Sequence, residues 1–176
     1  MKKFLIILVV VALVMTLAAP AVVAAPPGPT LVEVALAVNA EGTFAGQFDM
    51  LIAAILAADP AVLATLSGNG QFTVFAPTDA AFEALGIVDA GYFENMNQGV
   101  LTQILLYHVA RGRRDSTSVL GSSRIRTMQR GFLFQSGGVL TDNLGREATI
   151  FVTDVPAANG IIHVIDAVLL PFDPYE

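Results

Sequence analysis

Apolar positions recur at helical spacing through the first half of the chain and at alternate positions through the second. Thr30 with Glu33 three residues on reads as a capping box that opens a helix, with Leu31, Val34, Ala35 and Val38 on one face. Phe48 to Ala58 carries Phe48, Leu51, Ile52, Ile55 and Leu56 at the same spacing. Asp59-Pro60 breaks that helix and starts a third, since Asp caps and Pro fits the first turn. Val62, Leu63 and Leu66 face inward from it. The stretch Gln71 to Leu85, QFTVFAPTDAAFEAL, organises the rest. Phe72, Val74 and Phe75 predict a strand and Pro77 ends it. Thr78 or Asp79 then caps a helix that buries Phe82 and Leu85.

Gly86 predicts a helix stop, and Val88 to Phe93 a short helical or looping piece. Asn97 to Val109 predicts a longer helix with Val100, Leu101, Ile104, Leu105 and His108 near one face. From Arg111 the period falls toward two. Ser118–Leu120, Ile125–Thr127, Phe132–Phe134, Val139–Thr141 and Ala148–Thr153 predict strands, punctuated by Gly121, Gly131, Gly137-Gly138 and Asp142-Asn143. Ile161 to Leu169 is the last. Helices first and a strand meander afterwards predict an α+β fold.

The N-terminus changes the compartment. Lys2 and Lys3, the apolar run Phe4 to Leu17 and the small residues Ala18 to Ala25 predict a signal peptide over 1–25. An uncleaved anchor is the rival, although the apolar run is short for a span. A Pro-rich spacer follows over 26–29, a domain over 30–171 and a short tail over 172–176. Loss of both lysines leaves seven arginines against fifteen acidic residues, a formal charge of −8. Such a surface has no general attraction for nucleic acid. The chain has no cysteine, so an exported domain of this size rests on its core.

Candidate chemistry is sparse. There are two histidines, no zinc-ligand spacing and no calcium loop, so no metal or cofactor is expected. His163 lies in an apolar run, with Ile162 and Val164 on one side and Ile165 on its own, and is expected to be a buried or half-buried histidine bonded to backbone or to a nearby polar group. His108 ends a helix, where a hydrogen-bonding side chain suits the exposed carbonyls. No serine sits in a nucleophile elbow, and no lysine follows a glycine loop. The chain is read as no enzyme. One charge feature stands out: Arg111, Arg113, Arg114, Arg124, Arg126 and Arg130 fall within twenty residues, with Asp115 the one acid among them. They read either as a solvated region paired with acids elsewhere or as a local basic face for an anionic partner.

Three blocks in order resemble the fasciclin (FAS1) domain family. They are Thr73-Val74-Phe75-Ala76-Pro77-Thr78-Asp79-Ala80-Ala81-Phe82, then Leu105-Leu106-Tyr107-His108-Val109, then Gly160-Ile161-Ile162-His163-Val164-Ile165-Asp166 running on to Pro171. The resemblance covers Thr30 to Pro171. It implies a FAS1-like wedge of two small β-sheets flanked by helices, with Thr73, Phe75, Pro77, Thr78, Phe82, Gly160, His163, Val164 and Asp166 as structural motif positions. It also implies a secreted, cell-surface or periplasmic adhesion module of bacterial type, with Tyr107 and His108 in the region linked to partner binding.

The first functional expectation is a non-catalytic adhesion or interaction module, meeting a protein or anionic glycan through an exposed patch of Tyr107, His108 and the arginines. The second is a small-molecule or polysaccharide binder of the cell envelope, which needs a concave pocket. A hydrolase and a purely structural envelope role are further alternatives. No nucleic acid and no membrane span after leader removal are expected.

Overall fold

The computed structural model describes residues 27–174. The predicted leader, the first residue of the spacer and the last two residues of the tail lie outside them. Helices α1 (Leu31–Ala40), α2 (Asp49–Ala57) and α3 (Pro60–Leu66) precede strand β1 (Phe72–Pro77). Then come α4 (Asp79–Glu83), α5 (Tyr92–Asn95), α6 (Gln98–Tyr107), β2 (Val109–Arg111) and α7 (Ser116–Leu120). The remainder is β3 (Arg124–Arg126), β4 (Phe132–Ser136), β5 (Val139–Thr141), β6 (Glu147–Ala157) and β7 (Gly160–Ile165).

The capping box forms: Thr30 N–H donates to Glu33 Oε2 at 2.7 Å and the Thr30 hydroxyl accepts from Glu33 N–H at 3.4 Å. That pair holds the Glu33 carboxyl below its usual range, the Thr30 backbone contributing most. Asp59 caps α3, accepting from Ala61 N–H at 2.8 Å. Thr78 stands at the N-cap of α4 but makes no side-chain cap bond there. Asp79 reaches sideways instead, accepting from Asp49 and Met50 N–H at 3.2 and 2.9 Å. It thereby satisfies the first turn of α2, whose own N-cap, Phe48, has nothing to offer.

Several expected elements differ; the strand predicted over Ala148–Thr153, for one, runs on to Ala157. Ser118–Leu120 is helical, because Asp115 accepts from Ser118 N–H at 2.8 Å and nucleates a turn. The helix predicted to Val109 ends at Tyr107, and Val109–Arg111 pairs with β1. The last strand stops at Ile165 rather than Leu169. The residues beyond it turn away to pack on α6 and the β5–β6 turn, through Leu169 N–H to His108 and Leu170 N–H to Asp142.

The strands follow one order, β2-β1-β7-β6-β5-β4-β3. The long β6 serves two half-sheets. Its first residues, Glu147 to Thr149, pair with β5, and Ile150 to Ala157 pair with β7 across two register shifts. These irregularities bend the strand. The far edges meet again at an antiparallel bridge between Ala110 and Thr127. The two half-sheets so form the two sides of the wedge.

Two cores result. Between the helices and the β1–β7 half-sheet lie Leu51, Ala54, Phe82, Phe93, Leu101, Ile162 and Val164. Inside the wedge lie Phe75, Tyr107, Ile125, Leu133, Leu140, Ile165 and Leu169. Central β1 and β7 feed both, which is why β7 is buried at every position. Phe75 is 0 % exposed, Phe82 5 % and Ile165 0 %, as their place in the apolar runs predicts. Among the described residues no single helix is long and apolar enough to cross a membrane.

Candidate functional site

The motif residues hold the wedge together. Thr73 is buried, donates to Gly112 O at 2.7 Å and accepts from Arg114 N–H at 2.9 Å. Gly160 lies against β1, where a Cβ would strike the Phe72 carbonyl oxygen. Pro77, Thr78 and Val164 are buried, and Thr78 N–H donates to Ile165 O at 3.4 Å. Asp166 is exposed and accepts from Thr149 N–H at 2.6 Å, tying the end of β7 to β6. His163 is fully buried and stacks on Phe75 with ring centroids 5.8 Å apart. Its Nε2–H donates to Arg114 O at 2.8 Å and its Nδ1 accepts from Asp154 N–H at 3.4 Å. Backbone groups occupy both ring nitrogens, as its apolar setting predicts.

An exposed patch at Tyr107 and His108 does not form. Tyr107 is 0 % exposed and His108 3 %. The Tyr107 hydroxyl donates to Phe132 O at 2.6 Å and accepts from Asn143 N–H at 3.2 Å. Burial pushes its pKa up to about 12. His108 Nδ1–H donates to Ile104 O at 2.8 Å, and Nε2 accepts from Leu169 N–H at 3.0 Å. Burial pushes its pKa down to about 4, so the helix end holds a neutral imidazole rather than a cation. Both side chains look inward because α6 packs against both cores and its last turn sits over the seam between them.

The arginine segment divides. Arg113 Nη1 donates to Ala157 O and Gly160 O at 2.7 and 2.6 Å, stapling the β6–β7 turn with carbonyls where an acid was expected. Arg114 is half-buried, its backbone serving Thr73 and His163. Arg113 stays exposed but commits Nη1 to those carbonyls, while Arg114 is partly drawn in. Arg124 and Arg126 alternate outward from β3 around buried Ile125. Across the register they face Phe134 and Phe132. Arg124 Cζ lies 5.0 Å from the centroid of the Phe132 ring, a cation–π distance. Phe134 is 48 % exposed. Arg111 and Arg126 each stand one residue from the Ala110–Thr127 bridge and are exposed. Arg130 is exposed at the β3–β4 turn with φ at 82°. The fold therefore gathers Arg111, Arg124 and Arg126 beside two phenylalanines on the outer side of the wedge.

Two buried polar hubs were missed. Asn159 is 0 % exposed; its Oδ1 accepts from Leu31 N–H at 2.8 Å and its Nδ2 donates to Leu66 and Gly68 O at 2.7 and 2.8 Å. Asp142 is 3 % exposed. Its Oδ1 accepts from Leu144 and Arg146 N–H, and its Oδ2 from Leu170 N–H and the Arg146 guanidinium at 2.9 Å. Both lie in Asx-Gly or Asx-Asn turns, and a turn residue's remote partners leave no local signal. Among the described residues no group of three or more His, Cys, Asp or Glu is placed to hold a metal ion.

Comparison with known proteins agrees with this architecture. The chain is 40 % identical over 129 residues to protein sll1483 of Synechocystis sp., covering 70 % of this chain and 67 % of that one. It is 35 % identical over 153 residues to protein sll1735 of the same organism, covering 81 % and 98 %. Its fold matches a FAS1 domain pair from the insect cell adhesion molecule Fasciclin I with a TM-score of 0.54 and 25 % identity, covering 66 % of this chain and 42 % of that one. A model of the Fasciclin domain matches residues 46–171, and domains of this type are non-catalytic adhesion modules. With that match spanning the β-wedge and most of its helices, the chain belongs to the fasciclin domain family.

Proposed function

We propose that this domain works outside the cytoplasm as an adhesion module that holds an anionic partner, a glycan or an acidic protein segment, on the outer face of β3 and β4. One observation carries the reading: β-alternation puts Arg124 and Arg126 outward in register with Phe134 and Phe132. Guanidinium groups beside the exposed Phe134 ring and the half-buried Phe132 ring offer charge, planar hydrogen-bond donors and stacking area together. The remainder of the domain is acidic, so this face is a local exception, and its field favours anionic partners at short range. Export rests on the basic, apolar and small-residue order of the first 25 residues.

The test is binding of the leader-free chain to a sulfated glycan and to an acidic peptide across a salt series. Replacing Arg124 and Arg126 together by Gln should weaken binding about tenfold, the worth of two exposed ion pairs. It should also flatten the salt dependence and leave thermal unfolding unchanged. Binding that ignores both salt and the double substitution would refute the assignment.

A further inference from the structure

A half-open hollow of about 220 Å³ lies between α2, α4, α5, α6 and the segment that follows β7. Its walls include Leu51, Phe82, Phe93, Met96, Leu101 and Ile104. It is larger than the ~150 Å³ apolar cavity that takes up benzene. Buried His108 is also part of the lining. Both of its ring nitrogens are spent on Ile104 O and Leu169 N–H, so it shows a guest only an apolar ring edge. A water inside would find few of the roughly two to four partners it needs.

Charged groups stand at the rim, where Arg146 and Asp173 join the lining. Arg146 spends Nε and Nη2 on Asp142 Oδ2 at 3.0 and 2.9 Å, which leaves the Nη1 edge of the guanidinium as the donor for a guest. Asp142 already offsets its charge, and exposed Asp173 adds an acid. The rim therefore suits a hydrogen-bond acceptor without a negative charge. We infer that this hollow is a binding site for a small neutral amphiphile, an apolar body with one hydroxyl or carbonyl head, the body among the α4–α6 side chains and the head at Arg146.

No residue of β3 or β4 lines the hollow, so the site stands or falls independently of the anionic-partner reading. The experiment titrates the leader-free chain with 1-octanol, octanoate and toluene while following the methyl resonances of Met96 and Ile104. Octanol should move both methyls at saturable concentration, and octanoate should bind more weakly. Ala54, buried in the wall, is replaced by Phe to fill the space, which should abolish these shifts. Arg146→Gln should weaken octanol by about tenfold, the worth of one hydrogen bond, and leave toluene, which has no acceptor head, unchanged. Shifts spread over surface methyls would overturn the site, and this wild-type measurement stands even if the Ala54 variant fails to fold. Octanoate binding more tightly than octanol would overturn the neutral head. Binding that appears only in a chain ending at Pro174 would overturn it in favour of Tyr175 as the natural occupant.

Discussion

Leu169 donates its backbone N–H to Nε2 of His108 at 3.0 Å, deep between α6 and the segment after β7. The bond requires a neutral ring with its proton on Nδ1, where Ile104 O receives it. A protonated imidazole would turn Nε2 into a donor facing a donor. His108 ionises at about 4 in the fold against 6.5 in an open chain, chiefly through burial.

The folded chain is therefore the poorer proton acceptor. Stability from this group is fully present above pH 6.5 and is lost as pH falls toward 4. The loss is on the order of 3 kcal/mol. Urea unfolding at several pH values should show that decline, and a His108→Phe variant should be flatter over the same window. An equally steep slope in the variant would assign the acid sensitivity to other groups.

Tyr107→Phe should cost about 1–3 kcal/mol, since the Phe132 carbonyl and Asn143 N–H lose a buried partner. Binding to a sulfated glycan should not change, because the hydroxyl never reaches the surface. Calorimetric unfolding beside an affinity measurement separates the two outcomes. A weaker affinity with undiminished stability would restore Tyr107 to the interface.

Asp142→Ala should cost about 3–5 kcal/mol by stranding Leu170 N–H and the Arg146 guanidinium. The Asp142→Asn change keeps an acceptor and should cost less. Hydrogen exchange at Leu170 gives the local check: protection should fall most in the alanine variant.

Arg130 holds φ at 82° without being glycine. Arg130→Gly should stabilise the chain by about 1 kcal/mol, because the left-handed conformation is costly for a residue with a Cβ. Thermal unfolding checks it, and a lower midpoint would mean that the Arg130 side chain makes a compensating contact. Gly160 presents the opposite case. Gly160→Ala should cost about 3 kcal/mol or more, since its Cβ would meet backbone, which cannot rotate away.

The sequence alone determined what depends on neighbours along the chain. The Thr30–Glu33 box, the Asp59-Pro60 break and the burial of Phe75 and Phe82 follow from spacing within a few residues, where a 3.6 or 2.0 period sets direction. The three blocks pointed to the family for the same reason: a buried strand or close-packed glycine leaves a recognisable local pattern. Tertiary structure decided whatever depends on partners far along the chain. Asp79 caps α2, Asn159 joins the α1 start to the α3 end, Arg113 bonds carbonyls of the β6–β7 turn, and Asp142 meets Leu170. A polar side chain in a turn has several possible partners, and only the closed wedge brings one of them within 3 Å or so. The burial of Tyr107 and His108 has the same origin. A helix end is usually solvated, but α6 ends at the seam between two cores, and no periodicity within the helix records that.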